Sequence, residues 1–302
     1  MPGTQSDLGL ALSGGGAKGA FQVGALDYLI NEKGLDFRVV AGVSTGALQA
    51  VMVAQGDVAR LRRIWEGIEG RDDICTKRFG GFVGAVVGAD SAYSNEPLKE
   101  LIREHVEPAK IRASGRRLKI GVASLQTGVY RPVTEEKDHL RGWTLASTAI
   151  PAFFEPVELE GQQFVDGGVR DITPLGAVFE EKPRACLAIL ASPRELAPKE
   201  AEFDDLLDIG TRALEIMTDE IFQNDLADAE WVNALLEKVR RVEATLQGQG
   251  GPGAVAALAP LHDFLREYAV IPTYTLAPKR LLIDTLEFDP PKIAAAIRQG
   301  WD

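Results

Sequence analysis

Apolar residues run unbroken from residue 8 to residue 12 and stop at Ser13-Gly14-Gly15-Gly16, the pattern of a buried strand that ends in a tight loop. The period then changes. Between residues 17 and 32, Ala20, Phe21, Val23, Gly24, Leu26, Leu29 and Ile30 recur at helical spacing, and Gly34 supplies a stop. A second apolar run, residues 37–43, leads into the small and apolar stretch 47–54, which suits a buried helix. Further strands are predicted at 118–124, 129–133, 163–165 and 185–191, with helices between several of them. Alternation of this kind predicts an α/β fold, three layers deep, around a mostly parallel central sheet.

Two stretches depart from that rhythm. Residues 79–88, FGGFVGAVVG, combine apolar side chains with glycines and read either as a surface-seeking lip or as a core segment. Residues 203–246 are helical in pattern and end at the breaker GQGGPG, which predicts an appended helical pair within about 203–252 of a single domain spanning 1–302. Beyond it, 254–268 and 291–299 read as two more helices.

Composition narrows the function classes. A chain of 302 residues with 45% apolar and 25% charged residues can bury a sizeable core. Its net charge of −11 argues against a nucleic-acid partner, which calls for a basic surface. Cys75 and Cys186 are the only cysteines, so neither a disulfide framework nor a multi-cysteine zinc site can be built, and both read as reduced, semi-buried residues. The first residues lack the basic start and apolar run of a secretory signal, and no window of about 18 apolar residues could span a membrane. The expectation is a cytoplasmic chain, with peripheral contact to a membrane and export without a cleaved signal both still open.

Three local patterns carry chemistry. Gly42-Val43-Ser44-Thr45-Gly46 lies between an apolar strand and a small-residue helix. A serine on such a turn projects its hydroxyl out of the sheet, while Gly42 and Gly46 let strand and helix pass closely. Gly14-Gly15-Gly16-Ala17-Lys18-Gly19, at the end of the first strand, turns successive backbone amides outward and can hold an anion, as an oxyanion hole must. Lys18 there either adds charge or is solvated. Asp166-Gly167-Gly168 follows the apolar Phe164-Val165 and offers a carboxylate at a strand end, or an ordinary Asp-Gly turn. The first loop also fits a dinucleotide-binding G-x-G-x-x-G, but the acidic residue at the required distance, Asp36, precedes the second strand instead of ending it.

Taken in order, SGGGAKGAFQVG (13–24), GVSTG, ASTAIPAFFEPV (146–157), VDGG (165–168) and FDPPKIAAAIRQGW (288–301) make the chain resemble the patatin-like phospholipase family. That resemblance implies Ser44 as nucleophile, Asp166 as proton acceptor, and the amides around Gly14, Gly15 and Gly16 as the oxyanion hole. Lys18 stands where the family often carries arginine, and lysine lacks that planar five-donor fork. The function implied is hydrolysis of lipid esters, of phospholipase or lysophospholipase type, with the preferred lipid left open. A histidine triad is the runner-up: only His105, His139 and His262 exist, the first two in charged, helix-end contexts, the third in an amphipathic stretch. No metal or organic cofactor is implied, since no ligand cluster with metal spacing appears.

Overall fold

The computed structural model describes residues 6–77, 91–195, 198, 202–204, 206–249, 261, 265 and 268–302. The first apolar run is strand β1 (Leu8–Leu12), and the predicted helix 17–32 is three consecutive pieces: a 3-10 turn (Gly16–Gly19), helix α1 (Ala20–Leu26) and a π turn (Asp27–Glu32). Strand β2 (Val39–Val43) turns at Ser44 into α2 (Thr45–Ala54), and α3 (Val58–Glu66) follows. A small ladder of β3 (Thr76–Lys77) and β4 (Tyr93–Ser94) precedes α4 (Glu96–His105) and α5 (Pro108–Ala113). Next come β5 (Arg117–Ser124), β6 (Tyr130–Thr134), α6 (Leu140–Ser147), β7 (Val157–Leu159) and β8 (Gln162–Asp166). The remaining elements are α7 (Leu175–Phe179), β9 (Ala185–Ile189), α8 (Leu206–Gln249), β10 (Thr273–Leu276) and α9 (Pro290–Trp301).

Strands β10, β9, β1, β2 and β5 lie side by side and parallel, as expected for an α/β chain. Strands β6 and β8, predicted at 129–133 and 163–165, run antiparallel to β5. The sheet is covered on both faces, which is why β1 carries no polar alternation. Its Leu10 and Leu12 join the apolar cluster of α1, α2 and α9, whereas Ala11 joins Leu175, Val178, Phe222 and Leu226 of α7 and α8 on the other face. Three layers result.

The register around β5 brings the candidate catalytic residues together. A strand has two edges, and β6 occupies one of them along Lys119–Ala123. On the other, β2 pairs up to Gly121 and β8 takes over from Val122. The C-terminal ends of β2 and β8 therefore meet, Val43 opposite Gly121 and Asp166 opposite Val122. The chain leaves the sheet at Ser44 on one side of that junction and at Gly167 on the other.

One expectation is corrected. The stretch read as a helical pair is a single helix of 44 residues, α8. It contains no proline, and Gly210 near its start costs only about 1 kcal/mol, too little to break it. Residues 79–88 lie outside the described residues, as does 254–268 apart from 261, 265 and 268. Cys75 and Cys186 are free thiols, fully buried rather than semi-buried, and burial pushes them up to about 11 and about 12. No helix among the described residues is long and apolar enough to cross a membrane.

Candidate active site

Ser44 caps the N-terminus of α2 with φ 57° and ψ −128°, a region that a residue with a side chain occupies at a cost of about 1–3 kcal/mol. The turn is that tight because two backbones touch. A Cβ on Gly42 would stand 2.2 Å from Gly46 O, and one on Gly46 would stand 2.2 Å from Leu12 O, so neither position accepts any other residue. Hydrogen bonds hold the strained turn. Ser44 N donates to Ser147 Oγ at 3.0 Å, and that hydroxyl donates to Gly121 O at 2.7 Å. Ser147 lies in the 146–157 stretch, and nothing in its local pattern marks it as a bridge between the elbow and β5.

Asp166 is 4% exposed, and its Oδ1 accepts from Gly168 N at 2.8 Å. The Ser44 hydroxyl and this carboxylate border the same cavity, and the hydroxyl favours the carboxylate's charged form. Burial pushes Asp166 up to about 7, against the opposing pull of the Gly168 amide and the Ser44 hydroxyl. The group therefore changes charge near neutral pH, where a general base is most useful. Gly167 opens the turn that aims it.

The glycine loop is fixed from several directions. Gly14 N donates to Ile172 O at 3.0 Å and Ala17 N to Thr285 O at 2.8 Å. Gly16 has φ 57°, and a Cβ there would stand 2.2 Å from Thr285 O. Gln22 Nε2 ties Ser13 O to Ile189 O at 3.1 and 2.7 Å, and Gln49 Nε2 holds Gly19 O at 2.9 Å. The Gly14 amide is thus already engaged. Those of Gly15 and Gly16 have no partner among the described residues and remain able to bind an anion.

Lys18 is neither solvated nor aimed freely at the loop: it is 7% exposed, and its Nζ pairs with Glu215 Oε1 of α8 at 3.1 Å. Glu215 Oε2 in turn accepts from Arg212 Nη1 at 3.2 Å. Among the histidines, His139 is exposed at the start of α6, and His105, at the end of α4, is half-buried against an apolar cavity. His262 lies outside the described residues. Asp36, the rival ribose partner, precedes β2 and pairs with Arg116 Nη2 at 2.8 Å.

Two cavities meet at Ser44. One, of about 180 Å³, is bordered by the glycine loop, Asp166, Gly168 and the α8 residues Arg212 to Phe222. The other, of about 100 Å³, is bordered by α2, α3 and α4 and is almost wholly apolar. Gly16 and Ser44 border both, whereas Asp166 borders only the first.

Comparison with known proteins points the same way as the motifs. The sequence profile described as Patatin-like phospholipase matches residues 10–179, more than half of the 302. The uncharacterized protein YqhO of Bacillus subtilis is 25% identical over 265 residues, covering 77% of this chain and 88% of its own. An uncharacterized NTE family protein of Mycobacterium bovis is 25% identical over 193 residues, and YjjU of Escherichia coli 26% identical over 196. The chain covers 51% and 53% of those two. Among solved structures, VipD of Legionella pneumophila aligns over 97% of this chain and 65% of its own, at 17% identity and a TM-score of 0.48.

Proposed function

Since the chain belongs to the patatin-like phospholipase family, we propose that it hydrolyses lipid esters of phospholipid or lysophospholipid type with Ser44 as nucleophile and Asp166 as its base. The observation that carries this reading is the meeting of β2 and β8 on one edge of β5, which sets a hydroxyl on a strained elbow beside a buried carboxylate, with no histidine of the described residues between them. Ionised Asp166 takes the proton as Ser44 Oγ attacks the acyl carbon. The Gly15 and Gly16 amides bind the oxygen that becomes negative, and they are already oriented before the reaction starts. Lys18 shapes the loop through Glu215 and need not touch the oxyanion. Water then releases the fatty acid from Ser44.

The test compares three variants on a phospholipid and a soluble ester. Ser44→Ala should abolish turnover and labelling by a fluorophosphonate, and Asp166→Asn should lower the rate by roughly 10²–10⁴, the usual contribution of a general base. Replacing His105, His139 and His262 together by Gln should keep most of the activity. Labelling that persists in Ser44→Ala, or a folded triple-histidine variant as slow as Asp166→Asn, overturns the assignment.

A further inference from the structure

The two cavities at Ser44 differ in their chemistry and in their access to the base. The larger one is bordered by the ion-paired Lys18, Glu215 and Arg212 together with Thr218 and Asp219 among mostly apolar side chains, so it is the more polar of the two. The smaller one is walled by Leu48, Met52, Leu61, Ile64, Trp65 and Leu101. Resting on the reading of Ser44 and Asp166 given above, we propose that the smaller cavity takes the acyl chain of the ester and the larger one its alcohol with the polar head.

Proton accounting fixes the direction. When Ser44 Oγ bonds to the carbonyl carbon, its proton passes to Asp166. When the tetrahedral intermediate collapses, the carbon–oxygen bond to the alcohol breaks and the departing oxygen must take that same proton back from Asp166. The alcohol therefore has to leave on the side that Asp166 borders, which is the larger cavity. The acyl chain, left bonded to Ser44, occupies the side that Asp166 does not border. Once the alcohol has gone, a water molecule enters the vacated side and gives Asp166 a proton as its oxygen attacks the acyl carbon. Ser44 Oγ leaves and recovers that proton, and the fatty acid is released. The lining agrees, because a hydrocarbon chain gains from apolar walls, by about fourfold per buried methylene.

This separates two determinants of specificity. Leu48, one turn beyond Ser44 on α2, and Leu101 on α4 set acyl length, while Thr218 and its neighbours on α8 set the alcohol. The experiment measures kcat/KM for p-nitrophenyl esters from butanoyl to dodecanoyl, and for butanoyl esters of methanol, glycerol and glycerophosphocholine. Leu48→Phe and Leu101→Phe should cut dodecanoyl relative to butanoyl turnover by about tenfold or more, with the alcohol ranking unchanged. Leu48→Ala, which removes bulk, should move the optimum to longer chains and serves if the larger residue unfolds the protein. Thr218→Trp should reorder the alcohols and leave the acyl profile alone. If Thr218→Trp moves the acyl profile and the Leu48 variants do not, or if neither set moves it, the assignment of the cavities is overturned while Ser44 stands. Hydrolysis that survives Ser44→Ala overturns the reading beneath it instead.

Discussion

Lys18 Nζ stands 3.1 Å from Glu215 Oε1, and both residues are only 7% exposed, so the glycine loop and α8 are joined by a charge pair taken out of water. Removing Glu215 leaves Lys18 buried without its partner, which costs about 3–5 kcal/mol, whereas removing Lys18 costs less because Arg212 Nη1 still donates to Glu215 Oε2 at 3.2 Å. Glu215→Gln should lower the melting temperature strongly and Lys18→Met less, and Lys18→Met with Glu215→Gln, which keeps an acceptor for Arg212, should recover part of the Glu215→Gln loss. Thermal melts of the four proteins check this. Because the Gly15 and Gly16 amides are untouched, the double variant should keep its turnover within about tenfold, less than a lost oxyanion donor would cost.

With Asp166 held near about 7 by burial, its charged form is scarce at pH 5 and dominant at pH 8. kcat/KM and the rate of fluorophosphonate labelling should both rise with pH through that value. The same shift acts on stability with the opposite sign. A carboxyl whose folded pKa is raised contributes stability below the ordinary carboxylate pKa of about 4, and this is lost as pH climbs through the folded value. Asp166→Asn should therefore melt higher than the parent at pH 8 while matching it at pH 4, and denaturant unfolding at both pH values measures this.

Asp171 and Asp225, the latter on α8, are neighbours, and both are pushed upward, chiefly by burial and, for Asp225, also by the neighbouring charge of Asp171. Tyr130 faces the pair and Asp228 adds negative charge, while no cation among the described residues pairs with either carboxyl. One shared proton holds such a pair together; losing it sets two negative charges against each other. Stability should thus fall as pH rises from about 4 through neutrality, and Asp225→Asn should flatten that fall. Unfolding free energy followed across this range reads the slope.

Ser147→Ala removes the acceptor of the Ser44 amide and leaves a buried donor unpaired, at about 1–3 kcal/mol. The elbow at φ 57° then loses one of its restraints. Turnover and labelling should slow together with little change in KM, since the loss falls on Ser44, the proposed nucleophile, and spares the cavity walls. A variant that melts lower yet labels at the parental rate would show that the bridge serves the fold alone.

The strand ends that carry the candidate residues were legible because each announces itself locally: β1 breaks at three glycines, β2 at Gly42-Val43-Ser44-Thr45-Gly46, β8 at Asp166-Gly167-Gly168. What brings Ser44 to Asp166 was not legible. It depends on β8 entering antiparallel along the part of β5 that β2 leaves free, a matter of register between distant segments. Lys18 illustrates the same limit, since its partner Glu215 lies 197 residues away and nothing near Lys18 distinguishes a solvated lysine from a buried one. The length of α8 was missed for a different reason: an apolar periodicity fits one long helix as well as two short ones, and no proline settles the choice.

The profile match ends at residue 179, so it contains the glycine loop, Ser44 and Asp166, but none of α8, which walls the larger cavity with Arg212, Glu215, Met217, Thr218 and Phe222. Two parts of one pocket are therefore held by different structural constraints. Substitutions in the matched part meet touching backbones and fixed hydrogen bonds. Along α8 the fixed points are the buried Phe222, Leu226, Ala229 and Leu236, the anchor at Glu215, Asp225 beside Asp171, and Asn233, whose amide bonds the Ile271 backbone in both directions. Between them Met217 and Thr218 border the cavity, and changes there alter what the pocket admits while the elbow keeps its geometry.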